Sequence, residues 1–171
     1  MKTYSFRQQL QLGQKAERAI ANILKQEFEV VEANDDEQRQ GIDILGRHRI
    51  SGQYLRFEIK SDLLAHQYGN AFVEIISNDT ARKPGWVFTC TADLLLYFIP
   101  GCSKLLFFRP FRLRDRTWLW EQRFPVKPSQ NFSYRTWGIC VPLAEFTPLA
   151  EAIATVQVKG FHQLEIARNG K

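Results

Sequence analysis

Glu58 and Lys60 stand two residues apart in Tyr54-Leu55-Arg56-Phe57-Glu58-Ile59-Lys60, where Leu55, Phe57 and Ile59 alternate strictly with Arg56, Glu58 and Lys60. That alternation belongs to a strand with one face in the core, so Glu58 and Lys60 project from one face a few ångströms apart. Upstream, Gly41-Ile42-Asp43-Ile44-Leu45-Gly46 is brief, apolar and bounded by glycine, which favours a second strand. If a hairpin joins the two and Asp43 points to the side of Glu58 and Lys60, two carboxylates and an ammonium converge. Paired carboxylates suffice to seat a hard divalent cation that keeps several of its waters. A lysine beside them can orient or help deprotonate an attacking water and offset charge in the transition state. Hydrolysis of a phosphodiester makes these demands.

The elements that must position these residues are legible in outline. Residues 14–28 carry Ala16, Ala19, Ile20, Ile23, Leu24 and Phe28 at helical spacing, an amphipathic helix on which Glu17 borders the buried stripe. A short strand is expected at 29–32, a polar loop at 33–40, and a turn from Arg47-His48-Arg49 to Gly52. Further strands are expected at 72–77, 86–90, 94–99, 104–108 and 136–141, with turns at Arg82-Lys83-Pro84-Gly85 and Pro100-Gly101. Pro110 suits the first turn of a second helix through Leu113 and Trp118, and 148–155 reads as a short third one. Helix, consecutive strands and helix make the class α+β, or α/β with a mixed sheet, in a single domain over 1–171.

A helix bearing a glutamate, then Gly41-Ile42-Asp43-Ile44, a hairpin, and Glu58-Ile59-Lys60 resembles the PD-(D/E)xK nuclease superfamily. Within it the chain looks most like Holliday-junction resolvases and the related restriction and homing endonucleases. The resemblance spans roughly residues 13–77, and Ile42 stands at the proline position of the motif. It implies a restriction-endonuclease-like mixed central sheet flanked by helices and DNA cleavage dependent on magnesium (or manganese). It also implies metal ligation by Asp43, Glu58 and the backbone carbonyl of Ile59. Glu17 would match the first-helix glutamate that several such families add to the site; the residues alone allow equally an exposed helix carboxylate.

Charge distribution suits a polyanion. From Ser103 to Arg135 there are eight basic residues against Asp115 and Glu121, whereas the whole chain carries only +5. Arg112, Arg114 and Arg116, crowded on one stretch, are candidates for the DNA backbone, as are Arg47, His48 and Arg49 in the turn. The interleaved aromatics read mostly as core. Glu74 is a possible extra ligand or a partner of Lys60, or a solvated strand carboxylate; Asp93 reads as a cap or turn residue. His48, His66 and His162 lack metal spacing, and Cys90, Cys102 and Cys140, with no CxxC pair, read as small buried side chains. The N-terminus lacks the apolar run of a signal peptide and no stretch is long enough to span a bilayer, so a cytoplasmic location is expected. Double-stranded or branched DNA is the expected partner, cut by a homodimer or a higher even-numbered homo-oligomer. The rivals are a catalytically silent DNA-binding protein on the same fold and an unrelated protein-interaction module.

Overall fold

The computed structural model describes residues 6–158, with side chains described from residue 11 onward. The single-domain reading of 1–171 extends past the described residues at both ends, and His162 lies outside them.

The first helix, α1 (Phe6–Glu27), begins ahead of the expected 14–28 and buries Ala16, Ile20 and Leu24 four residues apart. β1 (Phe28–Glu32) follows directly and pairs antiparallel with β2 (Ile44–His48), which pairs antiparallel with β3 (Tyr54–Ser61) as the expected hairpin. Between β1 and β2 the polar segment expected as loop contains α2 (Asp35–Arg39). Its start is a capping box: Asn34 accepts from the Asp36 and Glu37 amides at 3.0 Å, and Glu37 accepts from the Asn34 amide at 2.8 Å. Then come α3 (Ala65–Tyr68), β4 (Asn70–Asn78), β5 (Lys83–Pro84), α4 (Trp86–Thr89), β6 (Leu94–Ile99) and β7 (Lys104–Phe108). The described chain ends through α5 (Pro110–Arg114), α6 (Thr117–Arg123), β8 (Val126–Gln130), β9 (Arg135–Pro142), α7 (Leu143–Phe146) and β10 (Ala152–Thr155).

The class is mixed α/β. A six-stranded sheet in the order β1-β2-β3-β6-β7-β10 is parallel only between β3 and β6, so it is mixed, as expected. A second, four-stranded antiparallel sheet, β5-β4-β9-β8, covers one of its faces. Phe57, Ile59, Leu96, Phe98 and Leu105 of the large sheet pack on Ala16, Ile20 and Leu24 of α1. The opposite face, through Leu95, Tyr97, Ile99, Leu106 and Phe108, meets Ala71, Val73, Ile139 and Val141 of the second sheet. Trp86 of α4, Leu113 of α5, Trp120 of α6 and Phe146 of α7 complete that core.

The helix expected from Pro110 through Leu113 and Trp118 is broken at Asp115 and Arg116 into α5 and α6, and two further expected elements differ in kind. Residues 86–90, rich in strand formers, make the single turn of α4, with Trp86 and Val87 in the core and the Cys90 amide returning to the Trp86 carbonyl at 2.9 Å. A side chain on the preceding Gly85 would lie 2.2 Å from the Glu74 carbonyl oxygen, so the close backbone approach there admits only glycine. Residues 152–155, expected as part of a helix, instead pair with β7 from Ala152 opposite Phe107 to Thr155 opposite Lys104. The sheet edge offers those residues backbone partners, and this outweighs the helix preference of alanine.

Candidate active site

β2 begins at Ile44 opposite Phe57, whereas β3 continues to Ser61, so the large sheet has a notch beside residues 58–61. Asp43 fills it. Its Oδ2 accepts the Ile59 amide at 2.7 Å, and its own amide donates to the Phe57 carbonyl at 2.8 Å. The segment before it is fixed by Gly41 and Ile42 amides bonded to the Gln38 and Glu37 carbonyls at 3.0 and 3.1 Å. Gly41 has φ +70, and a side chain there would come within 2.8 Å of the Cys90 Cα, so glycine is required for the turn that delivers Asp43. A strand residue sends its N–H and C=O to the same side, so the Ile59 carbonyl faces the notch with Asp43.

Glu58 lies opposite Leu95 and Lys60 opposite Tyr97 in the parallel ladder, which turns both toward the second sheet. Alternation alone would send them to solvent; here the Glu58 side chain is only 4% exposed and that of Lys60 34%. They form an ion pair through Lys60 Nζ and Glu58 Oε1, and the Asp43 carboxylate lies close enough to press on Glu58. Burial pushes the Glu58 carboxyl above its usual range, Lys60 opposes this, and Asp43 adds to it. For Lys60, burial pulls downward, but the charges of Glu58 and Asp43 outweigh it and hold the ammonium above its ordinary value. Glu17, exposed on α1, is also raised, first by desolvation and then by Asp43, with Lys60 opposing. The two proposed ligands, the lysine and the helix glutamate thus share one electrostatic neighbourhood.

Glu74 belongs to it too. Half-buried on β4, its Oε1 accepts the Trp86 amide at 3.2 Å, and its carboxyl is raised by burial against the pull of Lys60. Among the described residues no group of three or more His, Cys, Asp or Glu side chains is gathered as a ready-made metal cage. The donor set nevertheless fits magnesium or manganese: hard oxygens from Asp43 and Glu58, close enough for one carboxylate to act on the other, with the Ile59 carbonyl on the same edge.

Most of the residues singled out for DNA contact are engaged by partners within the protein. Arg47 and Arg49 lie 3.7 and 3.9 Å from Glu29, at and just past the hairpin end of β2, with Arg47 about 13 Å along the strand from Asp43. His48 accepts from the Ser51 amide at 3.1 Å and stacks edge-on against Phe28. Arg112 pairs with Glu151 at 2.8 Å. Arg114 donates to the Val87 and Cys90 carbonyls at 3.1 and 2.9 Å, tying α5 to α4, while Arg116 is exposed. Asp93, read as a cap or turn residue, instead tethers a distant strand: it accepts the Arg56 amide at 2.8 Å and its guanidinium at 3.0 and 3.1 Å. The cysteines are free thiols, Cys90 buried and the other two half-buried.

One residue that sequence reasoning passed over joins the two sheets. Asp62 accepts from the Leu64 and Ala65 amides at 3.0 and 2.9 Å, the Phe72 amide at 2.9 Å and the Tyr97 hydroxyl at 2.6 Å. Its only signal in the sequence is an aspartate two and three residues before amides that it can cap. No protein-family model matches the chain, and comparisons with curated proteins and with solved structures find no match.

Proposed function

We propose that this chain is a metal-dependent DNA endonuclease, either sequence-specific in the restriction or homing manner or junction-resolving. The observation that supports it most is the bond from the Ile59 amide to Asp43, which draws one carboxylate across the notch onto the Glu58-Ile59-Lys60 edge. Asp43, Glu58 and the Ile59 carbonyl would hold magnesium or manganese, with Glu17 adding a carboxylate from α1. The chemistry supplied by such an ion is activation of water and stabilisation of charge on the phosphate. Lys60, paired with Glu58 beside that site, would orient or help deprotonate the attacking water and offset negative charge.

Cutting both strands of a duplex or a junction with one site per chain calls for two sites related by symmetry. A homodimer or higher even-numbered homo-oligomer is therefore expected, and a single chain in the DNA complex, weighed by sedimentation, would contradict it. Lys60→Ala tests the mechanism: DNA binding should persist while cleavage falls by about 100-fold or more. Full cleavage by that variant would overturn the role given to Lys60.

A further inference from the structure

A cleft of about 790 Å³ opens beside Lys60, between the end of β3 and the outer face of the second sheet. Its floor follows from the strand registers. Lys127 of β8 lies opposite Gly138 of β9, and Phe72 of β4 opposite Cys140, and Lys127, Phe72 and Cys140 all line the cleft. A side chain at Gly138 would come within 2.5 Å of the Phe72 ring, so the ring lies against bare backbone. Phe72 is half-buried and Lys127 exposed. At the wall, Ser61 Oγ is a buried hydroxyl with no hydrogen-bond partner among the described residues; turned toward the cleft, it would find one in a ligand oxygen or nitrogen. Two acids also stand on the wall: Asp62 has its carboxylate engaged by three amides and the Tyr97 hydroxyl, and Glu74 accepts the Trp86 amide within the field of Lys60, so neither presents a free carboxylate to the cleft.

Such a volume lies in the ~300–1,000 Å³ range of sites that enclose small ligands, enough for roughly one or two nucleotides and too little for paired strands. A supported aromatic ring, flanking lysines and an unsatisfied hydroxyl are the parts from which sites for unpaired nucleic acid are made, because every base has a face to stack and every linkage a phosphate. We propose that the cleft seats an unpaired stretch of DNA strand, with a base on Phe72 and phosphate oxygens at Lys127 and Ser61, and leads it to Lys60. The preferred substrate then carries a single-stranded segment next to the cut. This rests on the nuclease reading for its last step only.

Binding and cleavage are measured separately so that the two readings fail separately. Fluorescence anisotropy in EDTA compares a labelled single strand, a blunt duplex and a duplex with a single-stranded overhang on wild type, Phe72→Ala and Lys127→Ala. Single strand and overhang should bind at least tenfold more tightly than blunt duplex, and Phe72→Ala should weaken them on the order of tenfold while sparing the blunt duplex. Lys127→Ala changes an exposed edge-strand residue, so it reports on the cleft even if Phe72→Ala fails to fold; it should weaken the single strand and lower its salt dependence. Equal or tighter binding of blunt duplex, equal weakening of all three ligands, or binding of mononucleotides alone would overturn the cleft assignment, whatever magnesium-dependent cleavage shows. Tight single-strand binding without cleavage would keep the cleft and remove the nuclease.

Discussion

Among single residues, Glu58 is a buried carboxyl under opposing influences. It is nearly sealed from water, bonded to Lys60 and crowded by Asp43, and its carboxyl is raised mainly by burial. A group whose pKa is higher folded than unfolded favours the folded state at low pH, and that contribution is lost as pH rises through the folded value. Stability of the metal-free protein should therefore fall from about pH 5 to about pH 8 as Glu58 ionises, with Glu17, also raised, acting in the same direction. Asp43→Asn removes one of the charges that raise both groups and leaves an oxygen for the Ile59 amide. The fall should become shallower by roughly 1 kcal/mol, read by chemical denaturation in EDTA. Identical pH dependence in the two proteins would mean that Asp43 does not press on Glu58. Spacing gave the pairing of Glu58 with Lys60, and glycine-bounded apolarity gave Asp43. Burial of Glu58 was not legible, because alternation distinguishes two faces of a strand and does not say what covers the second.

At the level of elements, the site depends on joints that lie outside the motif. Asp62 links the end of β3 to α3, β4 and β6 through four accepted bonds, and Arg114 links α5 to α4 through two carbonyls. Asp62→Asn puts an amide nitrogen where donors converge, and it should cost about 2–4 kcal/mol, lowering Tm by roughly 5–15 °C. Arg114→Ala should cost less, about 1–2 kcal/mol, and leave the salt dependence of DNA binding unchanged. A Tm unmoved in Asp62→Asn would deny it the joining role; a salt slope lower by about 1 in Arg114→Ala would return that arginine to the DNA interface. Long periodic elements were legible, among them α1, the β2–β3 hairpin, β6 and β7. Beside α2, read as loop, and the break between α5 and α6, the elements misread in kind are α4 and β10, short ones whose state is decided by a glycine-tight approach and by a free sheet edge, both properties of the partner and not of the segment.

Across the whole molecule, the second sheet is what sequence could not reveal. It pairs β4 with β9, some sixty to seventy residues apart in the chain, and nothing local in either strand names the other. With it came the cleft, since Phe72 and Lys127 meet only through that pairing. The basic segment from Ser103 to Arg135 also changes meaning once folded. Arg112, Arg123 and Arg135 pair with Glu151, Glu145 and Asp79, acids from outside the segment, so part of the local excess joins elements together and leaves a smaller field for a polyanion. Among the described residues no helix is long and apolar enough to cross a membrane. The most direct test of the proposed activity is cleavage of supercoiled plasmid and of a four-way junction by wild type and Asp43→Asn, each in magnesium and in EDTA. Cutting of at least one substrate by wild type in magnesium only, lost in the variant, is the predicted result; cutting that survives EDTA, or that Asp43→Asn retains in full, would contradict a metal site built on Asp43.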